Sequence, residues 1–413
     1  MRKSKLLVNL KRTWIPLTSL LILMLGSSFL ITLTVLRLRG MHAPSLMIGA
    51  MTAVLYAGSA AGSFRAEPFI ARVKHVRAFA TFASIFSITC LLQGLWLNPW
   101  FWLVLRFLNG YAIAGLFIVI ESWLLAKSTA KTRGAILSLY MIALYCAQSA
   151  GQFFINLKHL NSLQPFVIIG VLTALAVLPL AMGKVRMPHI EAPSTLDFKK
   201  LYKKAASGMV GALCGGLIQS SMYGLLPLYL RQQHYPLKEV SYMMALTIFG
   251  GMCLQYPMGR LSDVIERRFV LALICFASIL ICTQIILAHH LLIWMCVALF
   301  VLGGLTFTVY PISISYGCDA LSRRDIVAGT QGLLLAYSIG AMVGPIVSPL
   351  FMDLFGSAGL FIYFMIISGL LGAFLMWRRT QKTAKPQDEP FVLVPQTTPI
   401  SAELDPRMDE EVK

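Results

Sequence analysis

Residues 106–121 read RFLNGYAIAGLFIVIE and lie within an apolar run that extends from 100 to 125. A run of that length without a polar face is no wall of a soluble core, and it exceeds the roughly 20 residues a helix needs to cross the hydrocarbon of a bilayer. Arg106 and Glu121 are the only charges set deep within any of the chain's apolar runs. A charge in hydrocarbon costs at least ~2.5–3.5 kcal/mol on insertion scales, so such residues face protein or a watery cavity. Function is sought there first.

The remainder of the chain follows the same pattern. With 57% hydrophobic and 13% charged residues, and a mean hydropathy of +0.74, it carries more apolar surface than a soluble domain buries. An open sheet cannot satisfy its backbone in lipid, which predicts an all-α integral membrane protein. Twelve runs have spanning length: 14–36, 45–64, 78–97, 100–125, 134–156, 164–183, 207–230, 239–258, 269–288, 291–317, 327–350 and 357–377. The net charge of +18 would suit a nucleic-acid binder if it lined one polar face. Instead the basic residues sit between apolar runs and read as topology signals. With the N-terminus inside, only Arg37, Arg39, Lys158, Arg231 and Lys238 of the 35 Lys and Arg residues fall outside, which predicts two cytoplasmic termini. The first run doubles as the insertion signal.

The longest internal connection, 184–206, divides the runs six and six. This predicts a cytoplasmic segment 1–13, a six-helix bundle 14–183, a cytoplasmic linker 184–206, a second bundle 207–377 and a disordered cytoplasmic tail 378–413. The two bundles repeat. Ala147-x-x-x-Gly151 matches Gly340-x-x-x-Gly344 at an offset of 193, Asn109-Gly110 matches Gly303-Gly304 at 194, and the basic loop starting at Glu67 matches the one starting at Gly259 at 192. Parallel repeats of this kind characterise a large class of secondary transporters.

The loop from Gly259 through Asp263 to Arg267 and Arg268 resembles the cytoplasmic signature G-x-L-x-D-R-x-G-R-R of the major facilitator superfamily. Arg106 to Gly110 is similar to its R-x-x-x-G motif, and Gly340 to Pro345 to its G-x-x-x-G-P motif. The orders Glu121-Ser122-Trp123-Leu124 and Phe307-Thr308-Val309-Tyr310-Pro311 further resemble the YcaD-like branch. The resemblance runs from about residue 14 to 377 and implies two pseudo-symmetric six-helix bundles that rock in alternating access. It also implies a loop that latches the cytoplasmic side. The first copy departs from the pattern, with Glu67 and Ala71 where a glycine and an aspartate stand in the family, and Glu266 replaces a glycine in the second.

Chemistry attaches to several positions. Asp263 can accept from Arg267 or Arg268 or sit against helix N-termini, which makes Gly259, Asp263, Arg267 and Arg268 a candidate gate. Arg106, Gly110, Ile113, Phe117 and Glu121 share one helical face, yet Arg106 and Glu121 stand about 22 Å apart along the axis and cannot pair. Tyr145, Gln148, Gln152 and Asn156 form a polar stripe on the fifth span at the depth of Arg106. It reads as a cavity lining, with interhelical hydrogen bonding as the alternative. Gln219, Tyr223, Tyr310, Gln331 and Tyr337 are the matching groups of the second half. Arg106 is the candidate to orient a substrate, and Glu121 the candidate for proton coupling. Gly110, Gly340, Gly344 and Pro345 are candidates for close helix packing, Pro345 also ending regular hydrogen bonding there. The cysteines lack metal-ligand spacing, and no phosphate-cradling loop or nucleophile–base set occurs, so neither a metal, a cofactor nor an enzymatic activity is expected. A monomeric secondary transporter for a small polar or amphipathic solute is the expectation, with uptake and efflux of drugs or metabolites both open. The rival is a membrane receptor or scaffold that signals through its tail.

Overall fold

The computed structural model describes residues 2–129, 132–183, 198–288, 290–319, 321, 326–381 and 391–400, with side chains described from 13 onward and not at 198–200 or 326–327. Among them the regular structure is helical: α1 (Arg2–Gly40), α2 (Ser45–Val73), α3 (His75–Leu95), α4 (Pro99–Lys127), α5 (Arg133–Gly151), α6 (Gln164–Leu175), α7 (Val177–Met182), α8 (Phe198–Gln232), α9 (Leu237–Val264), α10 (Arg267–Ala288), α11 (Leu292–Asp319), α12 (Ile326–Phe355) and α13 (Gly359–Gln381). Eleven stretches are long and apolar enough to cross a membrane, and the last of them, Ala328–Gln381, contains two helices.

Several helices outrun the apolar runs that announce them. α2 continues through Pro68 to Val73 and α9 through Pro257 to Val264, so the two basic loops are largely helical. Only Ile265 and Glu266 separate α9 from α10. α1 begins at Arg2 rather than near 14, and α13 reaches Gln381, into the stretch expected to be a disordered tail. Part of the linker, from Phe198, belongs to α8, which breaks at Ala205 (φ −128°, ψ 38°); residues 184–197 lie outside the described ones. Charged residues are compatible with helix once the axis has left the hydrocarbon, and hydropathy alone therefore underestimates helix length. The fifth span changes form instead: α5 stops at Gly151, and Gln152–Asn156 continue as a 3-10 helix. Gln152 and Asn156 thus leave the 3.6-residue face that Tyr145 and Gln148 share.

Prolines inside the helices are accommodated one by one. Pro311 has no N–H for the carbonyl of Phe307, four residues earlier, and Gln255 Nε2 of α9 donates to that oxygen at 3.2 Å. Contrary to expectation, Pro345 does not end α12. The helix runs past it and past Pro349 to Phe355. Membrane helices tolerate such prolines where neighbours cover the freed carbonyls.

The chain divides into two compact units. One holds Met1–Thr34, Val54–Ala192 and Thr397–Lys413; the other holds Val35–Ala53 and Pro193–Gln396. The division falls inside the long connection, but the segment Val35–Ala53 groups with the later helices and the stretch from Thr397 with the earlier ones. In the first unit α3 packs on α4 and α6; in the second α8 packs on α11, α12 and α13, and α9 on α11. A second-unit core of Cys214, Val270, Leu271, Ile274, Leu305, Val309 and Leu371 joins α8, α10, α11 and α13.

The same backbone approaches recur in both units. A Cβ on Gly58 would strike the carbonyl of Phe107, and one on Gly250 that of Phe300; Gly110 abuts the carbonyl of Leu55, and Gly303 that of Thr247. Gly151 likewise abuts Leu25, and Gly344 abuts Leu217. Each pair is related by an offset of 192 or 193, so the counterpart of Gly110 is Gly303 and not Gly304, correcting the 194-residue match. These contacts are the repeat in physical form, since small residues let membrane helices approach closely where lipid supplies no hydrophobic drive. Gly58→Val or Gly250→Val is expected to cost about 1–3 kcal/mol by overpacking. Gly40→Ala, which meets open space, is expected to leave the thermal unfolding midpoint in detergent unchanged.

Candidate functional site

Arg106 is buried in α4, and its Nε has no hydrogen-bond partner among the described residues. Cys90 and Tyr56 are its titratable neighbours, both neutral, and no carboxylate partner is found among the described residues. One turn further on, Asn109 organises a polar cluster between α3 and α4. Gln93 Nε2 donates to Asn109 Oδ1 at 2.9 Å, and Asn109 Nδ2 donates to Thr89 Oγ1 at 2.5 Å. Gln93 Oε1 is buried without a donor among the described residues. The first unit therefore holds a guanidinium N–H and an amide oxygen that are buried and unanswered among the described residues, a state that costs about 1–3 kcal/mol for each group.

The stripe on the fifth span is used differently. Thr32 Oγ1 donates to Gln152 Oε1 at 2.7 Å, while Gln152 Nε2 donates to Ser28 Oγ at 2.6 Å. Gln148 Nε2 lies 3.9 Å from Met24 Sδ, and Ser28 Oγ donates to the Gln148 carbonyl at 2.6 Å. These contacts tie the fifth span to α1. The hydrogen bonds described for both glutamines join helices, and none joins them to Arg106. Tyr145 is buried on α5.

In the second unit Tyr337 donates to Gln219 Oε1 at 3.3 Å, and its ring lies 4.7 Å from that of Tyr310. Gln219 Nε2 is buried and lacks an acceptor among the described residues. Tyr223 packs edge-on against Phe307 at 5.5 Å between centroids. Gln331 is half-buried on α12. Gln219, Tyr310 and Tyr337 are thus one cluster from α8, α11 and α12. Gly340 and Gly344 bring α12 onto α8 beside them, where a Cβ would meet Leu213 and Leu217, and Gly49 of the same unit sits on the Pro345 carbonyl.

Glu121 is fully buried and has three hydroxyl donors. Tyr140 Oη donates to Oε1 at 2.8 Å. Thr397 Oγ1 donates to the same oxygen and Thr398 Oγ1 to Oε2. The stretch expected to be disordered therefore supplies two of the three donors. At its start, the Phe391 N–H donates to Asp263 Oδ1 at 2.7 Å, and the Phe391 ring fills the space over Gly259.

The candidate gate is a set of ion pairs at the α9–α10 turn. Arg267, wholly buried, reaches Asp263 Oδ1 at 3.3 Å and Asp319 Oδ2 at 2.9 Å. Arg268 turns to Glu266 at 2.7 Å, and Arg379 reaches the other oxygen of Glu266 at 2.9 Å. Glu266, which replaces a glycine of the signature, is the carboxylate that ties α10 to α13. Asp319, Arg379 and Gln93 escaped the sequence reading, and Asn109 entered it only as a mark of the repeat, not as the centre of a polar cluster. Thr89 and Gln93, one turn apart in an apolar run, were the available signal for the last two. No local pattern marks Thr397 and Thr398 as partners of Glu121.

The family model of the Major Facilitator Superfamily matches residues 17–335. The chain belongs to that superfamily. Within it, the chain is 30% identical to the MFS-type transporter YcaD of Escherichia fergusonii over 372 residues, covering 90% of this chain and 96% of that one. It is 29% identical to YcaD of Shigella flexneri serotype 5b over 376 residues, with the same coverage. Two solved transporter structures share the fold over most of their length. A bacterial homologue of the human lysosomal transporter Spinster, inward-facing and occupied, gives a TM-score of 0.74 at 14% identity, with 92% of this chain and 97% of that one covered. The nucleoside transporter NupG gives 0.71 at 16% identity, with 90% and 99% covered. The protein is a multi-pass membrane transporter of this superfamily.

Arg267→Ala removes the cation from Asp319, which is itself nearly buried, and is expected to destabilise the protein by about 3 kcal/mol. Arg260→Ala, at an exposed position where the guanidinium lies over the Tyr256 ring, is expected to change stability by no more than about 0.5 kcal/mol. Thermal unfolding of both variants in the same detergent checks the difference.

Proposed function

We propose that the protein is a secondary active transporter that moves a small, polar or amphipathic solute across the bacterial cytoplasmic membrane by alternating access. The reading includes twelve transmembrane helices in two six-helix bundles and both termini in the cytoplasm. The stretch Ala328–Gln381 supports the helix count: at 1.5 Å per residue its 54 residues are far too long for one ~30 Å crossing, and the turn Gly356–Ala358 breaks them into α12 and α13. The asymmetry of Lys and Arg supports the orientation.

The observation that carries the transport reading beyond family membership is that, of the eleven buried side-chain polar atoms without a partner among the described residues, two belong to candidate solute-binding residues, Arg106 Nε in the first unit and Gln219 Nε2 in the second. Native interiors rarely leave such groups orphaned, and functional sites are where they persist. A ligand with an acceptor would complete either. One buried cation without a matching carboxylate suits a neutral or singly anionic solute rather than a highly charged one. Within this reading Arg106 in the first unit, and Gln219 with the Tyr310–Tyr337 pair in the second, are each taken by themselves as a candidate solute contact, Gln148 and Gln152 support the fifth span, and Glu121 couples transport to protons.

Counterflow in proteoliposomes, with a panel of neutral and monoanionic solutes, tests the assignment. Arg106→Ala and Gln219→Ala are expected to lower flux of the accepted solute by about 10- to 100-fold, the loss of a hydrogen bond to a charged or buried group, with unchanged monodispersity. Full flux in both variants overturns the site. Undiminished accumulation under an imposed pH gradient by Glu121→Gln overturns the coupling role.

A further inference from the structure

Residues 391–400 read FVLVPQTTPI. Val392, Val394, Thr398 and Ile400 are buried, so this stretch is seated as a ligand is seated. Its two polar contacts of consequence in the first unit are the hydroxyls of adjacent residues, Thr397 and Thr398, each donating to a different oxygen of the Glu121 carboxylate. Tyr140 stands beside them, donating to Glu121 Oε1 and lying 3.4 Å from Thr397 Oγ1. Glu121 has no exposure. Remove the two threonine hydroxyls and a dehydrated carboxylate keeps Tyr140 as its one remaining described donor, a state that demands replacement by other donors.

We infer that Glu121 and Tyr140 form a receptor for two neighbouring hydroxyls, a vicinal diol on a neutral solute, and that Thr397 and Thr398 occupy it as an internal stand-in. The geometry is that of fork-like recognition: two lone-pair oxygens side by side accept from two O–H groups side by side, with the tyrosine closing one edge. Each donor on the carboxylate is a hydroxyl. The chemistry is therefore that of a polyol or a sugar ring. A diol-bearing solute and the tail compete for the same two oxygens, so solute binding releases Phe391–Ile400 from the protein. As a statement about cargo this rests on the transport reading above; as a statement about a binding site it does not.

Amide hydrogen exchange of the full-length protein in detergent micelles, followed at residues 391–400 by mass spectrometry, tests it. Thr397→Val combined with Thr398→Val keeps the side-chain shape and removes both hydroxyls. This double variant is expected to accelerate exchange of the segment by about fivefold or more. The probe for the wild type is methyl β-D-ribofuranoside at tens of millimolar, with its 2-deoxy analogue as control. The riboside is expected to accelerate exchange to the same degree, and the deoxy analogue to leave it unchanged. Equal acceleration by both sugars, or none by the riboside when the double variant responds, overturns the diol receptor. No acceleration in the double variant overturns the tail as its occupant. Release by the riboside without its accumulation in proteoliposomes leaves the binding site standing and removes the transport reading for that solute.

Discussion

A polar group inside a bilayer has no water to return to, and that constraint shapes this molecule at every level. It dictates helices first, because only a helix pairs its own backbone within hydrocarbon. It then governs the exceptions. Pro311 frees the carbonyl of Phe307, and Gln255 arrives from α9 to answer it. Gln152, where the fifth span tightens into a 3-10 helix, is answered from α1 by Ser28 and Thr32. Arg267 is buried between Asp263 and Asp319. Such groups are held by helices other than their own, so the polar contacts set which helices are neighbours.

Packing depends on the complementary device. Lipid tails are as apolar as leucine, which removes the hydrophobic drive between helices and leaves van der Waals contact and hydrogen bonding. Glycines supply the contact. Gly58 and Gly110 bring α2 onto α4, and Gly250 and Gly303 do the same for α9 and α11. The repetition of these approaches at one offset explains why a sequence repeat too weak to see in bulk side chains survives in glycines: a bulky residue can be exchanged for another, whereas a backbone contact tolerates only the absence of a side chain.

Much of this was legible in the chain itself. The apolar membrane helices and the family-like motifs follow from runs of apolar residues and the spacing of glycine, proline and arginine, which are local signals. Helix ends were not legible, because α2 and α9 carry their charged final turns beyond the hydrocarbon. Nor was the use of the glutamines: a polar stripe looks the same whether it faces a cavity or α1, and only the positions of Ser28 and Thr32 separate the two. Asp319 and Arg379 are remote in sequence from Arg267 and Glu266, and the tail's threonines are remote from Glu121. Long-range partners of single residues leave no periodicity to read.

The two charges of α4 end with opposite standing despite equal burial. Arg106 sits among Cys90, Tyr56 and the Asn109 cluster with an N–H unanswered, whereas both oxygens of Glu121 are occupied by hydroxyls from the chain. Burial alone would have ranked them as equivalent. What distinguishes the Glu121 donors is that two of them, Thr397 and Thr398, belong to a non-helical segment whose exchange for other donors would not require a helix to change its own hydrogen bonding. Arg106 has no comparable substitute among the described residues. Under the transport reading proposed above, the solute supplies the missing partner, and in its absence water or a rearrangement of α3 and α4 does.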